Sequence, residues 1–282
     1  MDMRHFISTE DWSRDELQSI LDDARALKGA PLNDRLAGRT IALVFLNPSL
    51  RTRASFDIGI FQMGGHAVVL QPGQGAWPME FEEGVVMDGA AEEHVCEAAR
   101  VLSRYCDLIA VRAFPKFEDW SVDRQDRVIK SMAKYATVPV INMETITHPC
   151  QELALMMALQ ERLGTTDGKK FVLTWTYHPR PLNTAVANSA LMIATKFGFE
   201  TTLLCPTPEY TLDERYMNLA RLAELEQQIV EKDAELSQRT VRFLLEDRAL
   251  APYRDAIVLT CVIMILLARP DGLIPPARSD RS

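Results

Sequence analysis

Phe45-Leu46-Asn47-Pro48-Ser49-Leu50-Arg51-Thr52-Arg53-Ala54-Ser55-Phe56 decides how the rest of this chain is read. It leaves an apolar run, Thr40-Ile41-Ala42-Leu43-Val44-Phe45-Leu46, whose length and β-branching fit a buried strand. Asn47 and Pro48 turn the chain into a helical pattern expected to bury Phe56, Ile60 and Phe61 and to stop at Gly64-Gly65. Ala67-Val68-Val69-Leu70 follows as a second strand, and a strand–helix–strand crossover implies a parallel pair. Ser49, Leu50, Arg51 and Thr52 therefore sit where a strand hands over to a helix. Unpaired backbone N–H groups and the helix dipole favour an anion at such a point. A guanidinium with two hydroxyls would complete a phosphate cradle. The same spacing fits an ordinary surface helix start with a capping serine and two solvated arginines, and spacing alone does not separate the two.

Working outward, Ser13-Arg14-Asp15-Glu16 is a capping box, and Leu17, Ile20, Leu21, Ala24 and Leu27 after it keep helical spacing to about Gly29. Residues 71–90, rich in Gly and Pro, read as a long loop, which in a compact domain is usually functional or mobile. A helix over 91–104, a strand over Leu108–Val111 ending at Arg112, a helix over 121–134 and a strand over 138–142 come next. From Pro149, a good first helical residue, a helix runs to about Leu163. Residues 164–170 form a polar break and the expected domain boundary. Strand, helix and strand then follow over 171–175, 182–197 and 201–205. This order predicts an α/β fold of two domains (1–163 and 164–282), each a parallel sheet flanked by helices, the second incomplete. From about Leu212 the pattern changes to a charged amphipathic helix carrying Leu219, Leu222, Leu225, Ile229 and Leu236, then an apolar segment and a Pro- and Arg-rich tail.

With 282 residues, 47% of them apolar, the chain can bury a sizeable core. A net charge of −8 argues against nucleic acid as a partner. The five cysteines (Cys96, Cys106, Cys150, Cys205, Cys261) form no CxxC pair, which fits reduced thiols in a cytoplasmic protein. No His/Cys/Asp cluster has metal spacing, and Gly59, Gly64 and Gly65 do not form a dinucleotide fingerprint. Neither a metal nor any other cofactor is expected. Met1 to His5 leads into no apolar signal region, and Ala256 to Ala268 is too short to span a bilayer, so the reading is a soluble protein.

The wording of two short motifs goes further. Ser49-x-Arg51-Thr52-Arg53 after a strand resembles the carbamoyl-phosphate signature of the aspartate/ornithine carbamoyltransferase family, and His148-Pro149-Cys150-Gln151 resembles its second signature. The resemblance covers roughly residues 1–220. Asn142 to Gln151 and Trp175-Thr176-Tyr177-His178-Pro179 are similar to the branch that uses N-acetyl-L-ornithine. It implies transfer of the carbamoyl group from carbamoyl phosphate to the side-chain amine of N-acetyl-L-ornithine, in arginine biosynthesis. It also implies carbamoyl-phosphate contacts from Ser49, Leu50, Arg51, Thr52, Trp77, Arg112, His148, Pro149, Cys150 and Gln151. By the same resemblance Glu144 contacts the acetylated amino acid, and Glu92 sets acetyl against succinyl specificity by repelling a second carboxylate. The loop bearing Trp77 then reaches into a neighbouring subunit, giving a homotrimer with shared sites. A plain ornithine carbamoyltransferase, or a non-catalytic remnant that binds carbamoyl phosphate, is the alternative.

The chemistry suits these residue types. Carbamoyl transfer needs positioned reactants and stabilised negative charge rather than covalent machinery. Arg112, at the C-terminal end of a parallel strand, is where such sheets place ligand groups. His148 can donate to a carbonyl oxygen, and Gln151 can accept from a carbamoyl amide; Arg112, His148 and Gln151 are the catalytic candidates. Each also has an ordinary reading: a surface ion-pair partner, a capping or loop histidine, and, for Trp77, a ring that pins its loop. Cys150 reads as packing, because no charged neighbour in sequence would lower its pKa. Two family motifs, a Lys-Ser-Trp-like stretch and His-Cys-Leu-Pro, have no counterpart here, and family likeness fades beyond about residue 222.

Overall fold

The computed structural model describes residues 3–175, 182–205 and 210–222. Helix α1 (Arg14–Lys28) begins at the expected capping box. The Ser13 hydroxyl accepts from the Glu16 N–H at 3.2 Å, and the Glu16 carboxylate accepts from the Ser13 N–H at 2.8 Å. Strand β1 (Thr40–Phe45), helix α2 (Arg51–Gln62) and strand β2 (His66–Leu70) form the predicted unit, with β1 and β2 parallel from Thr40 beside His66 to Val44 beside Leu70. Phe56 and Ile60 are buried as expected, but Phe61 is 76% exposed. At about 100° per residue, position 61 lies well round the helix from position 56, so one face cannot bury both. Gly65 lets β2 leave close beneath the preceding segment: a Cβ there would sit 2.8 Å from the Leu36 Cβ.

The long loop after β2 is pinned by a two-residue parallel ribbon, β3 (Met79–Glu80) on β4 (Glu93–His94). Helix α3 (Val95–Tyr105) and strand β5 (Leu108–Arg112) follow. The single helix expected over 121–134 is two, α4 (Trp120–Asp123) and α5 (Arg127–Tyr135). They break at Asp126, which adopts the left-handed conformation (φ 52°); a short polar side chain tolerates that region better than most others do. Strand β6 (Val140–Glu144) begins two residues later than expected, after Pro139, which has no N–H to give a ladder.

These four longer strands make one parallel sheet in the order β2-β1-β5-β6. Phe6 extends its β6 edge, donating to the Val140 carbonyl at 2.8 Å and accepting from the Asn142 N–H at 2.9 Å. Leu43, Leu108, Ile141 and Met143 face α1, α2 and α6 (Pro149–Leu163) on one side. Ala42, Val44, Ile109 and Val111 face α3 and α5 on the other, so both faces are covered, as a parallel sheet requires.

Strand β7 (Lys170–Thr174), helix α7 (Ala185–Lys196), strand β8 (Glu200–Leu204) and helix α8 (Glu214–Leu222) complete the described chain. β7 and β8 pair in parallel, and among the described residues that second sheet has two strands. Leu191, Leu203, Tyr216 and Met217 form its core, while Ile193 of α7 and Phe197 just after it join the core of the first sheet with Met156 and Met157 of α6. The predicted positions Leu225, Ile229 and Leu236, the tail, and the resemblance at Thr176 to Pro179 lie outside the described residues. Among the described residues no helix is long and apolar enough to cross a membrane.

Candidate active site

The C-terminal ends of β1, β5 and β6 lie side by side, with Phe45 beside Arg112 and Arg112 beside Glu144. Leu46 donates its N–H to the Arg112 carbonyl at 3.0 Å, and the Asn47 side-chain oxygen accepts from the Phe114 N–H at 2.6 Å. Together these bonds tie the crests of β1 and β5. Helix α2 opens at the same edge, where the Ser49 hydroxyl accepts from the Thr52 N–H at 3.1 Å. Leu50 and Arg51 are exposed there, and Ser49 and Thr52 half-buried. The expected handover from strand to helix is thus the built geometry.

Arg112 is the hub. Its Nη1 donates to the Thr52 hydroxyl at 3.2 Å and pairs with a Glu144 carboxylate oxygen. Its guanidinium lies 4.6 Å from the Phe114 ring centroid. Its Nε is buried with no hydrogen-bond partner among the described residues, a donor left over for a ligand. Burial pushes the Glu144 carboxyl up and the Arg112 guanidinium down, and each charge pulls the other back. The positive charge of Arg51 reaches both.

His148 stands next to this pair, 7% exposed, with Nε2 3.6 Å from the Glu144 Oε2. Burial, with the Arg112 charge behind it, drives the imidazole pKa down to about 3. The ring is therefore neutral near pH 7 and carries one N–H, and its Nδ1 is buried without a partner among the described residues. A neutral N–H donor near the Arg112 guanidinium can stabilise a developing oxyanion without proton transfer. Pro149 opens α6 as expected, Cys150 is wholly buried with its thiol 3.5 Å from the Asn142 carbonyl, and Gln151 is half-buried on the same turn.

The structure brings Thr52, Arg112, Glu144 and His148 together. It does not bring Trp77 or Glu92 to them. Trp77 is 62% exposed on the long loop and Glu92 is exposed near that loop's end. Sequence reasoning missed the residues that hold the loop Thr145–His148. Asn142 Nδ2 donates to the Thr145 and Thr147 hydroxyls at 2.9 and 3.1 Å. Asn183 and Asn188 donate to the carbonyls of Thr145 and Ile146 at 2.8 and 2.9 Å, and Ser189 accepts from the His148 N–H at 2.8 Å. One signal existed: Asn188-Ser189 interrupts an otherwise apolar helix, and buried polar groups need partners.

Residues 4–161 match the carbamoyl-phosphate binding domain of aspartate/ornithine carbamoyltransferase. The chain belongs to that family. It is 66% identical over 223 residues to an N-acetylornithine carbamoyltransferase of Xylella fastidiosa, a stretch covering 78% of this chain and 66% of that relative. It thus spans slightly less than two thirds of the relative's length. A crystal structure of a variant N-acetyl-L-ornithine transcarbamylase complexed with carbamyl phosphate and N-succinyl-L-norvaline is similar at 61% identity and a TM-score of 0.80. The match covers 83% of this chain and 72% of that one. An acetylornithine transcarbamylase complexed with acetylcitrulline superposes with a TM-score of 0.86 at 46% identity, over 97% of this chain and 100% of that one. The carbamoyltransferase fold, parallel sheets flanked by helices, is therefore the fold of this chain.

Proposed function

We propose that this chain binds carbamoyl phosphate and N-acetyl-L-ornithine and transfers the carbamoyl group, giving N-acetylcitrulline and phosphate, in arginine biosynthesis in the cytoplasm. The observation that carries the reading is the Thr52–Arg112–Glu144 cluster with His148 beside it, at the strand ends where α2 also begins. Arg51 and the backbone of Ser49 to Thr52 take the phosphate, with Leu50, Pro149 and Cys150 shaping the pocket. Arg112 offsets charge on the bridging oxygen. The neutral His148 ring donates to the carbamoyl carbonyl oxygen, and the Gln151 side-chain oxygen accepts from the carbamoyl amide. The amine nitrogen attacks the carbonyl carbon and a C–N bond forms. The C–O bond to phosphate then breaks, and the amine proton leaves with the phosphate. Glu144 receives the acetylated amino acid, and Glu92 disfavours a succinyl group in its place.

Residues 1–163 act as the carbamoyl-phosphate domain and 164–282 as the domain for the second substrate. The assembly is a homotrimer in which Trp77 serves a neighbouring site. Exposed Ile58, Phe61, Val101 and Tyr105 on α2 and α3 support self-association. A coupled assay with carbamoyl phosphate and three acceptors (N-acetylornithine, ornithine, aspartate), run beside gel filtration, tests the whole reading. Turnover fastest with ornithine would replace it with the plain ornithine enzyme. Carbamoyl-phosphate binding without turnover is the second reading, favoured by the absence of the Lys-Ser-Trp-like and His-Cys-Leu-Pro motifs from this sequence.

A further inference from the structure

Glu152 lies one turn into α6, 2% exposed, and takes no part in the reaction above. It accepts from the Thr9 hydroxyl, and its backbone N–H donates to the His148 carbonyl at 3.1 Å. Ser189 of α7, 1% exposed, stands between these two residues of α6's opening turn. Its Oγ accepts from the His148 N–H at 2.8 Å, and the Glu152 carboxyl lies beside the same hydroxyl. The His148 ring, by contrast, makes no hydrogen bond of its own among the described residues: Nδ1 has no partner there and Nε2 is 3.6 Å from Glu144. Nor does the His148 side chain cap its own helix. The ring is aimed by packing and by where its backbone is held.

We propose that Ser189 is a positioning residue for His148, holding the backbone nitrogen that starts α6 and so fixing where the imidazole points. This rests on the reading of His148 as the carbonyl-oxygen donor. The hydroxyl suits the task because it is both acceptor and donor, so a lone pair of its oxygen stays open to the His148 N–H whichever way its own proton turns. Remove the hydroxyl, and a buried N–H loses its acceptor. The first turn of α6 then shifts toward another partner, and a shift of ~1 Å at a catalytic group costs on the order of a hundredfold.

Two readouts on the full chain test this: the nuclear magnetic resonance signals of the His148 ring, and carbamoyl-phosphate affinity by calorimetry. Ser189→Ala, and Ser189→Cys, which keeps the volume but offers a poor acceptor, should move the ring signals and weaken affinity about tenfold. Ser189→Thr, which keeps the hydroxyl, should restore both. His148 ring signals unmoved in folded Ser189→Ala or Ser189→Cys overturn the proposal whatever the ligand does. Arg51→Ala separates the underlying reading. If it binds carbamoyl phosphate as well as the unmodified chain, the phosphate assignment falls, while the ring signals still decide the role of Ser189.

Discussion

Arg112 and Glu144 face each other across the β5–β6 ladder after the register slips by one residue, at Met143, and close a buried ion pair there. The slip matters because a strand alternates faces. Without the extra residue, Arg112 would meet Met143, and the carboxylate would point to the other side of the sheet. The two side chains are only 10% and 11% exposed, so removing one partner leaves a charge with little water to take its place. Glu144→Ala should therefore cost roughly 3 kcal/mol of unfolding free energy in urea melts. A loss under about 1 kcal/mol would mean that water already shares this pair.

Arg51→Ala should weaken carbamoyl-phosphate binding by roughly 1.5–3 kcal/mol, the worth of one charge-assisted contact. Arg51 is exposed at the opening of α2, so folding stability should change by less than about 0.5 kcal/mol. Calorimetry and a thermal melt on one preparation check both halves. Undiminished affinity sinks the phosphate assignment.

Much of this was legible in the sequence, and the reasons are physical. A strand of Thr40-Ile41-Ala42-Leu43-Val44-Phe45 buried on both faces has no other comfortable conformation, and the Ser13–Glu16 capping box names its own helix start. His148-Pro149 likewise placed α6 to the residue. What was hidden depended on tertiary contact. Nothing local announces the left-handed break at Asp126, whose carboxylate accepts from the Thr145 hydroxyl 19 residues on. The slip at Met143 and the hold of Asn183, Asn188 and Ser189 on the His148 loop likewise join elements far apart in the chain. Phe61 departs from expectation for a local reason: it neighbours the core position Ile60 in sequence, but its helical angle turns it to solvent.

Glu92 should set acceptor preference through charge alone. It lies exposed at the end of the loop that also carries Trp77, and a carboxylate there repels the extra carboxylate of a succinyl group. Glu92→Ala should narrow the ratio of rates for acetylornithine over succinylornithine. Equal rates with both acceptors in the unmodified chain would contradict the assignment.

Turnover should fall further than binding. The phosphate-side groups stand on one four-stranded sheet, whereas the Lys-Ser-Trp-like and His-Cys-Leu-Pro motifs, to which the family resemblance assigns groups for the amino-acid substrate and the carbamoyl oxygen, are absent from the sequence. An amine not held at near-attack distance reacts slowly however well carbamoyl phosphate is bound. The purified chain should bind carbamoyl phosphate, yet turn over at least a hundredfold more slowly than the Xylella relative assayed beside it. Comparable turnover would show that residues beyond 222 supply the missing groups.

Stability should decline between pH 6.5 and pH 8, and Glu152 should be the cause. Burial raises its carboxyl to about 8 in the folded chain, against an ordinary value of 4.5. Between those values the folded state holds a proton that the unfolded state has lost. Unfolding free energy then falls as pH rises, by at most ~1.4 kcal/mol per unit. His148 acts in the opposite sense: with its folded pKa at about 3, it adds stability as pH rises from there to 6.5. Over 4.5–6.5 the two slopes oppose each other, and Asp126, raised to about 6 by burial, adds a further decline over part of that range. Above pH 6.5 both His148 and Asp126 are spent and Glu152 acts almost alone among the three. Urea melts at pH 6.5, 7.25 and 8 should lose roughly 1–2 kcal/mol across the series in the unmodified chain. In Glu152→Gln, which keeps an acceptor for the Thr9 hydroxyl but cannot ionise, the slope should flatten. Comparing the two proteins removes every other titrating group they share. Parallel slopes would mean that Glu152 stays charged in the fold, with Lys196 close enough to hold it so.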